Sequence, residues 1–104
     1  MDYVIFDLEW NQCPYGKEKE NPKLPFEIIE IGAVKMDGER NVVGTFHRIV
    51  KPVVYQHLHH RTREVVGLTE EDLQNGIPFA QAVQEFFASV SYTHLRAHET
   101  LANL

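Results

Sequence analysis

Apolar and polar positions change period twice along this chain. From Asp2 to Trp10 the residues are mostly β-branched or aromatic and apolar on both faces up to Phe6. That pattern predicts a central, buried strand. Residues 11–25 turn polar, with Pro14, Gly16, Pro22, Pro25 and the charge run Lys17-Glu18-Lys19-Glu20, which predicts a solvated loop. A second strand is expected over Glu27 to Met36, a turn beginning at Asp37-Gly38, and a third strand from Asn41 to Val50, stopped by Pro52. The last two read as an antiparallel hairpin with a loop slightly longer than the tightest type.

Beyond Pro52 the spacing becomes helical. Leu58, Thr62, Val65 and Val66 fall on one helical face, and Gly67 follows as a C-terminal cap. Thr69-Glu70-Glu71-Asp72 has the form of a capping box opening a short helix that Asn75-Gly76 closes. Pro78 suits a first helical position. Phe79, Ala82, Val83, Phe86, Phe87 and Val90 then form an apolar stripe expected to be core. Three strands followed by two or three helices predict an α/β or α+β domain. From about Ser89 the pattern breaks. The run from Val90 to Thr100 resembles a translated sequencing-adapter string, so the chain is divided into a domain over 1–88 and a non-native or disordered tail over 89–104.

Composition narrows the possibilities. The chain has 104 residues, 43% of them apolar and 24% charged, as expected of one globular domain. No apolar run approaches the roughly 20 residues of a membrane-spanning helix, and the N-terminus has no basic region of the signal-peptide type. The net charge of −5 argues against a basic nucleic-acid coat protein. It leaves open an enzyme that reaches phosphates through metal ions. A single cysteine, Cys13, allows no internal disulfide and fits a reducing, cytoplasmic setting.

The sharpest chemical feature is Asp7-Leu8-Glu9. Side chains at i and i+2 share a face of a strand, so two carboxylates project side by side from the end of an apolar segment. Such neighbours repel and raise each other's pKa unless a cation neutralises them. All-oxygen donors favour a hard ion, Mg²⁺ or Mn²⁺. Other candidates are weaker. His57, His59 and His60 cluster near a helix start with no cysteine nearby and are expected to be solvent-exposed. Cys13 has no evident base. His94 and His98 have metal-site spacing but lie in the foreign-looking tail.

Three segments in order, Val4-Ile5-Phe6-Asp7-Leu8-Glu9-Trp10-Asn11, Glu27-Ile28-Ile29-Glu30-Ile31-Gly32-Ala33-Val34 and Gly67-Leu68-Thr69-Glu70-Glu71-Asp72-Leu73, resemble the DnaQ-like 3′–5′ exonucleases of the DEDD superfamily. The likeness is greatest to small sporulation-inhibitor-like and RNA-trimming members. The resemblance implies a ribonuclease H-like fold, here truncated to a three-stranded antiparallel sheet followed by two or three helices. It implies two Mg²⁺ or Mn²⁺ ions and stepwise release of nucleoside monophosphates from the 3′ end of single-stranded RNA or DNA. Asp7 and Glu9 would be the catalytic metal ligands, with Asp7 bridging both ions. Leu8 and Trp10 would lie beside the terminal nucleotide, and Leu68 and Thr69 would touch its base, although capping is the favoured role of the Thr69 hydroxyl. A later strand with a second aspartate and a helix with a histidine base and a final aspartate are missing from the pattern. That implies a domain of roughly 170–200 residues, an inactive fragment, and a first strand whose second edge is unpaired and sticky. A non-catalytic nucleic-acid- or protein-binding module on the same scaffold is the alternative. The ordered motifs argue against an unrelated α+β binding module.

Overall fold

A computed structural model describes residues 2–90. Three strands, β1 (Tyr3–Gln12), β2 (Phe26–Met36) and β3 (Val42–Ile49), form an antiparallel sheet in the order β1-β2-β3. Helices α1 (His60–Val66), α2 (Glu70–Gln74) and α3 (Phe79–Ser89) follow. Every expected element is present. The proline-rich loop holds one further turn, a 3₁₀ segment at Lys17–Lys19.

The first strand departs from expectation. Among the described residues β2, not β1, stands between two neighbours. β1 is buried on one face: Val4 is fully buried while Ile5 is exposed. Cross-strand partners share a face, so Phe6 lies beside Ala33 and Leu8 beside Ile31, over the cluster formed with Phe46, Ala82, Phe86 and Val90. The opposite face carries Asp7 beside Gly32 and Glu9 beside Glu30.

One irregularity organises the C-terminal end of β1. Glu9 faces Glu30 but Trp10 faces Ile28, so β2 bulges by one residue at Ile29. The bulge exchanges the faces that two consecutive apolar residues take. Ile28 joins the α3 side of the sheet, and Ile29 joins a second cluster with Leu58, Leu73, Ile49, Val66 and Leu68. α1 and α2 thus cover part of the carboxylate-bearing face, and α3 covers the other.

The helix ends follow their sequence signals. Gly67 takes the left-handed conformation at φ 75° that a C-cap requires. Thr69 and Asp72 form both halves of a capping box, the Thr69 hydroxyl accepting from the Asp72 N–H at 3.1 Å and the Asp72 carboxylate from the Thr69 N–H at 2.9 Å. Pro78 is the N-cap of α3 rather than its first helical residue. At Gly76 a Cβ would sit 2.8 Å from the Ile49 carbonyl oxygen, so only glycine lets the chain pass there and bridge Val50 to Ile77.

Two expected core faces are narrower than their periodicity suggests. On α3 and its C-cap, Ala82, Phe86 and Val90 are buried, but Phe79 and Phe87 are about half exposed. Phe87 lies on the flank of the stripe, and Phe79 opens into a side hollow described below. α1 has only seven residues, so Thr62 packs inward while Val65 is 80% exposed. Leu58 is buried but precedes the helix.

Phe86 meets Phe6 and Phe46 edge-on, each with ring centroids 5.6 Å apart. Phe86→Ala is therefore expected to destabilise the chain by about 3–5 kcal/mol, whereas Val65→Ala should fall within about 0.5 kcal/mol of wild type. Thr69→Ala, removing the cap, should cost about 1 kcal/mol. Denaturant unfolding of the three variants checks this ordering.

Candidate active site

Asp7, Glu9 and Asn11 alternate along β1 and share its open face. Asp7 is exposed, and its Oδ1 accepts from the N–H of Leu8 at 3.0 Å. Glu9 is half-buried and accepts no hydrogen bond among the described residues. Burial, then the nearby Asp7 and Glu30 carboxylates, push its carboxyl above the usual glutamate range. Glu30 is held by the Nε2 of His47 on β3. Asp7, Gly32 and His47 form one row across the three strands. Because Gly32 has no side chain, that row is a trough, and Asp7, Glu9, Glu30, Gly32 and His47 line a hollow of about 220 Å³.

A partly buried carboxylate without a hydrogen-bond donor, between two other carboxylates, favours a cation nearby. The oxygen donors of Asp7 and Glu9 fit a hard divalent ion. They form only part of a coordination shell, since among the described residues no group of three or more His, Cys, Asp or Glu side chains is arranged to hold a metal.

Leu8 and Trp10 project from the opposite face. Leu8 packs on the α3 core. Trp10 lines an apolar hollow of about 250 Å³ with Leu24, Phe26, Val50, Val54 and Phe79. Leu68 packs into the cluster beneath α1 and α2, on the carboxylate side of the sheet, and Thr69 caps α2.

Two residues that sequence reasoning passed over fasten the segment before α1. Glu27 accepts from the backbone N–H groups of Val53, Val54 and Tyr55 at 2.8–3.0 Å. Asn11, its partner across the sheet, is fully buried and bonds Tyr55, His57 and His59. An asparagine inside a β-branched strand is an unfavourable choice for packing alone, and that was the available signal.

The histidines serve the same segment. His57 is exposed and bonds Glu70 at 3.1 Å, and Arg63 bonds the same carboxylate at 2.5 Å. His59 is half-buried and is the N-cap of α1, its Nδ1 accepting from the Arg61 N–H at 3.1 Å. Cys13 is buried, its thiol directed to the Gly16 carbonyl at 3.4 Å. His94 and His98 lie outside the described residues. No helix among the described residues is long and apolar enough to cross a membrane.

This geometry accompanies a clear kinship. The RNase_T family, described as Exonuclease, matches residues 4–102, and the chain belongs to it. The chain is 36% identical over 73 residues to the PolC-type DNA polymerase III of Thermotoga petrophila, and 33% identical over 72 residues to that of Thermotoga maritima. In each case 69% of this chain aligns with 5% of the relative, so the chain spans a small part of those polymerases. Among solved structures, the nuclease domain of 3′hExo, a DEDDh family member bound to rAMP, superposes with a TM-score of 0.72 at 22% identity. That match covers 88% of this chain and 44% of the other. Cell-death related nuclease 4 gives 0.70 at 19% identity, covering 88% and 30%. E. coli exonuclease I gives 0.61 at 17%, covering 85% and 18%. The fold is that of the ribonuclease H-like exonuclease domains.

Acid should loosen the start of α1. Burial, then the His60 and Arg61 charges, hold the His59 pKa below the ordinary histidine value of 6.5. Above that value both the folded and unfolded chains are neutral at this site. Below it the unfolded chain takes up the proton first, so stability is lost as pH falls from 6.5 through the folded pKa. Protonation also removes the Nδ1 lone pair that caps the helix. His59→Asn, a cap that does not titrate, is expected to abolish this component of a pH series of thermal melts.

Proposed function

We propose that this chain carries the first part of a metal-dependent 3′–5′ exonuclease domain that removes nucleoside monophosphates from single-stranded nucleic acid. The observation that carries the proposal is Glu9, a half-buried carboxylate without a hydrogen bond among the described residues, side by side with Asp7 and facing Glu30. Family membership supplies the exonuclease chemistry. The rAMP bound to 3′hExo and the oligonucleotide bound to E. coli exonuclease I suggest the substrate class.

In this proposal Asp7 and Glu9 hold Mg²⁺ or Mn²⁺. An ion bound there supplies water activation and neutralises the charge developing on the leaving oxygen. The strand contributes rigidity, because the β1–β2 ladder fixes both carboxylates on one face. The segment from α1 into α2 presents Leu68 and Thr69 toward the terminal nucleotide. Leu8 and Trp10, turned to the opposite face of β1, take no part in this contact; Leu8 packs on the α3 core and Trp10 lines the separate apolar hollow. Glu30 and His47 bound the trough on its far side.

Mn²⁺ binding tests the proposal. Weak binding by the 104-residue chain, followed by electron paramagnetic resonance, should fall at least about tenfold in Asp7→Ala, as expected when one of few charged ligands is removed. With a 3′-labelled single strand and Mn²⁺, little turnover is expected from two carboxylates alone. Any product should be labelled mononucleotide, and it should vanish in Asp7→Ala. Mn²⁺ affinity unchanged by that substitution, or internal cleavage, would contradict the proposal.

A further inference from the structure

Asn11 is the third residue of the series Asp7, Glu9, Asn11 on one face of β1. It is fully buried, and its amide is used at both ends. Nδ2 donates to the Tyr55 carbonyl at 3.3 Å and the His57 carbonyl at 2.9 Å, and Oδ1 accepts from the His59 N–H at 3.0 Å. His59 is itself the N-cap of α1, and α1 runs through Gly67 directly into Leu68 and Thr69. One buried amide therefore joins the strand bearing the carboxylates to the start of the segment that carries Leu68 and Thr69.

We infer that Asn11 is a positioning residue that sets the nucleotide-contacting segment against the carboxylates of β1. The inference rests on the exonuclease proposal above. Its physical basis is that the three groups Asn11 engages are main-chain groups of an irregular segment, which has no ladder of its own to satisfy them. Glu27 holds residues 53–55 in the same way, but its bonds end two residues before His57. Asn11 reaches the backbone of the residue from which α1 starts, where Gln12 adds only a longer 3.5 Å contact from its Nε2 to the His59 ring. An aspartate at this position would keep the acceptor for His59 and turn a carboxylate oxygen toward two carbonyls. An alanine would leave all three main-chain groups without their partner. Neither change alters Asp7 or Glu9.

The test uses the 104-residue chain, with Asn11→Ala and Asn11→Asp. Amide exchange is expected to rise at least about tenfold at His59, Arg61 and Thr62, while the Ile31 and Val34 amides of β2, a strand paired on both sides, stay within about twofold, as for local opening. Mn²⁺ affinity should change less than twofold. In the presence of Mn²⁺, affinity for AMP should fall about tenfold. A uniform rise in exchange across the sheet, or none at His59, would overturn the inference, as would AMP and Mn²⁺ affinities that fall together. If wild type and both variants bind AMP equally, the inference fails and the exonuclease proposal stands. If the wild-type chain binds Mn²⁺ but no AMP, the substrate proposal fails and takes this inference with it.

Discussion

The arrangement depends on a single conflict within β1, which must be apolar on one face and anionic on the other. Val4, Phe6 and Leu8 are held in the α3 core, and the pleat then forces Asp7 and Glu9 outward on the opposite face. A one-residue slip against β2 would bury both acids, so the hydrophobic contacts that stabilise the sheet also specify the site. Glu9 remains the strained member. It is too buried to be fully hydrated, lacks a hydrogen bond among the described residues and faces like charge on two sides. An unrelieved group of this kind costs folding free energy unless a proton or a nearby cation neutralises it.

The bulge at Ile29 is the second constraint. A regular ladder would send Ile28 and Ile29 each to the face the other now occupies and place Glu27 out of step with Asn11. With the extra residue, Asn11 and Glu27 are neighbours at the end of the sheet. Both turn polar side chains onto the backbone of residues 53–59. The irregular chain between β3 and α1 is thereby fixed by strand residues, and the helices it leads into inherit that placement. Bulges near sites commonly re-aim side chains in this way.

Much of the molecule was legible in order. Period-two and helical patterns located all six regular elements within a residue or two at most boundaries, and Gly67 and Thr69 marked helix ends because capping is local chemistry. The adjacency of Asp7 and Glu9 follows from strand geometry alone. The apolar run taken alone reads as a central strand, whereas among the described residues β1 has one neighbour, as the truncated sheet implied; an apolar run does not say how many neighbours pair with it. Phe79 and Phe87 were overcounted as core because periodicity records a face but not how much of it the sheet covers.

Local residue order by itself determined the elements, their caps and the pair of acids on one face, since these depend on contacts within a few residues. Only the tertiary structure decided that Glu30 and His47 stand across the trough, that Leu8 and Trp10 point away from the acids, and that Asn11 bonds residues 44 to 48 positions away. Those relations come from strand register and from one inserted residue at Ile29. Register is set by the summed packing of both sheet faces, so no short stretch of the chain contains it.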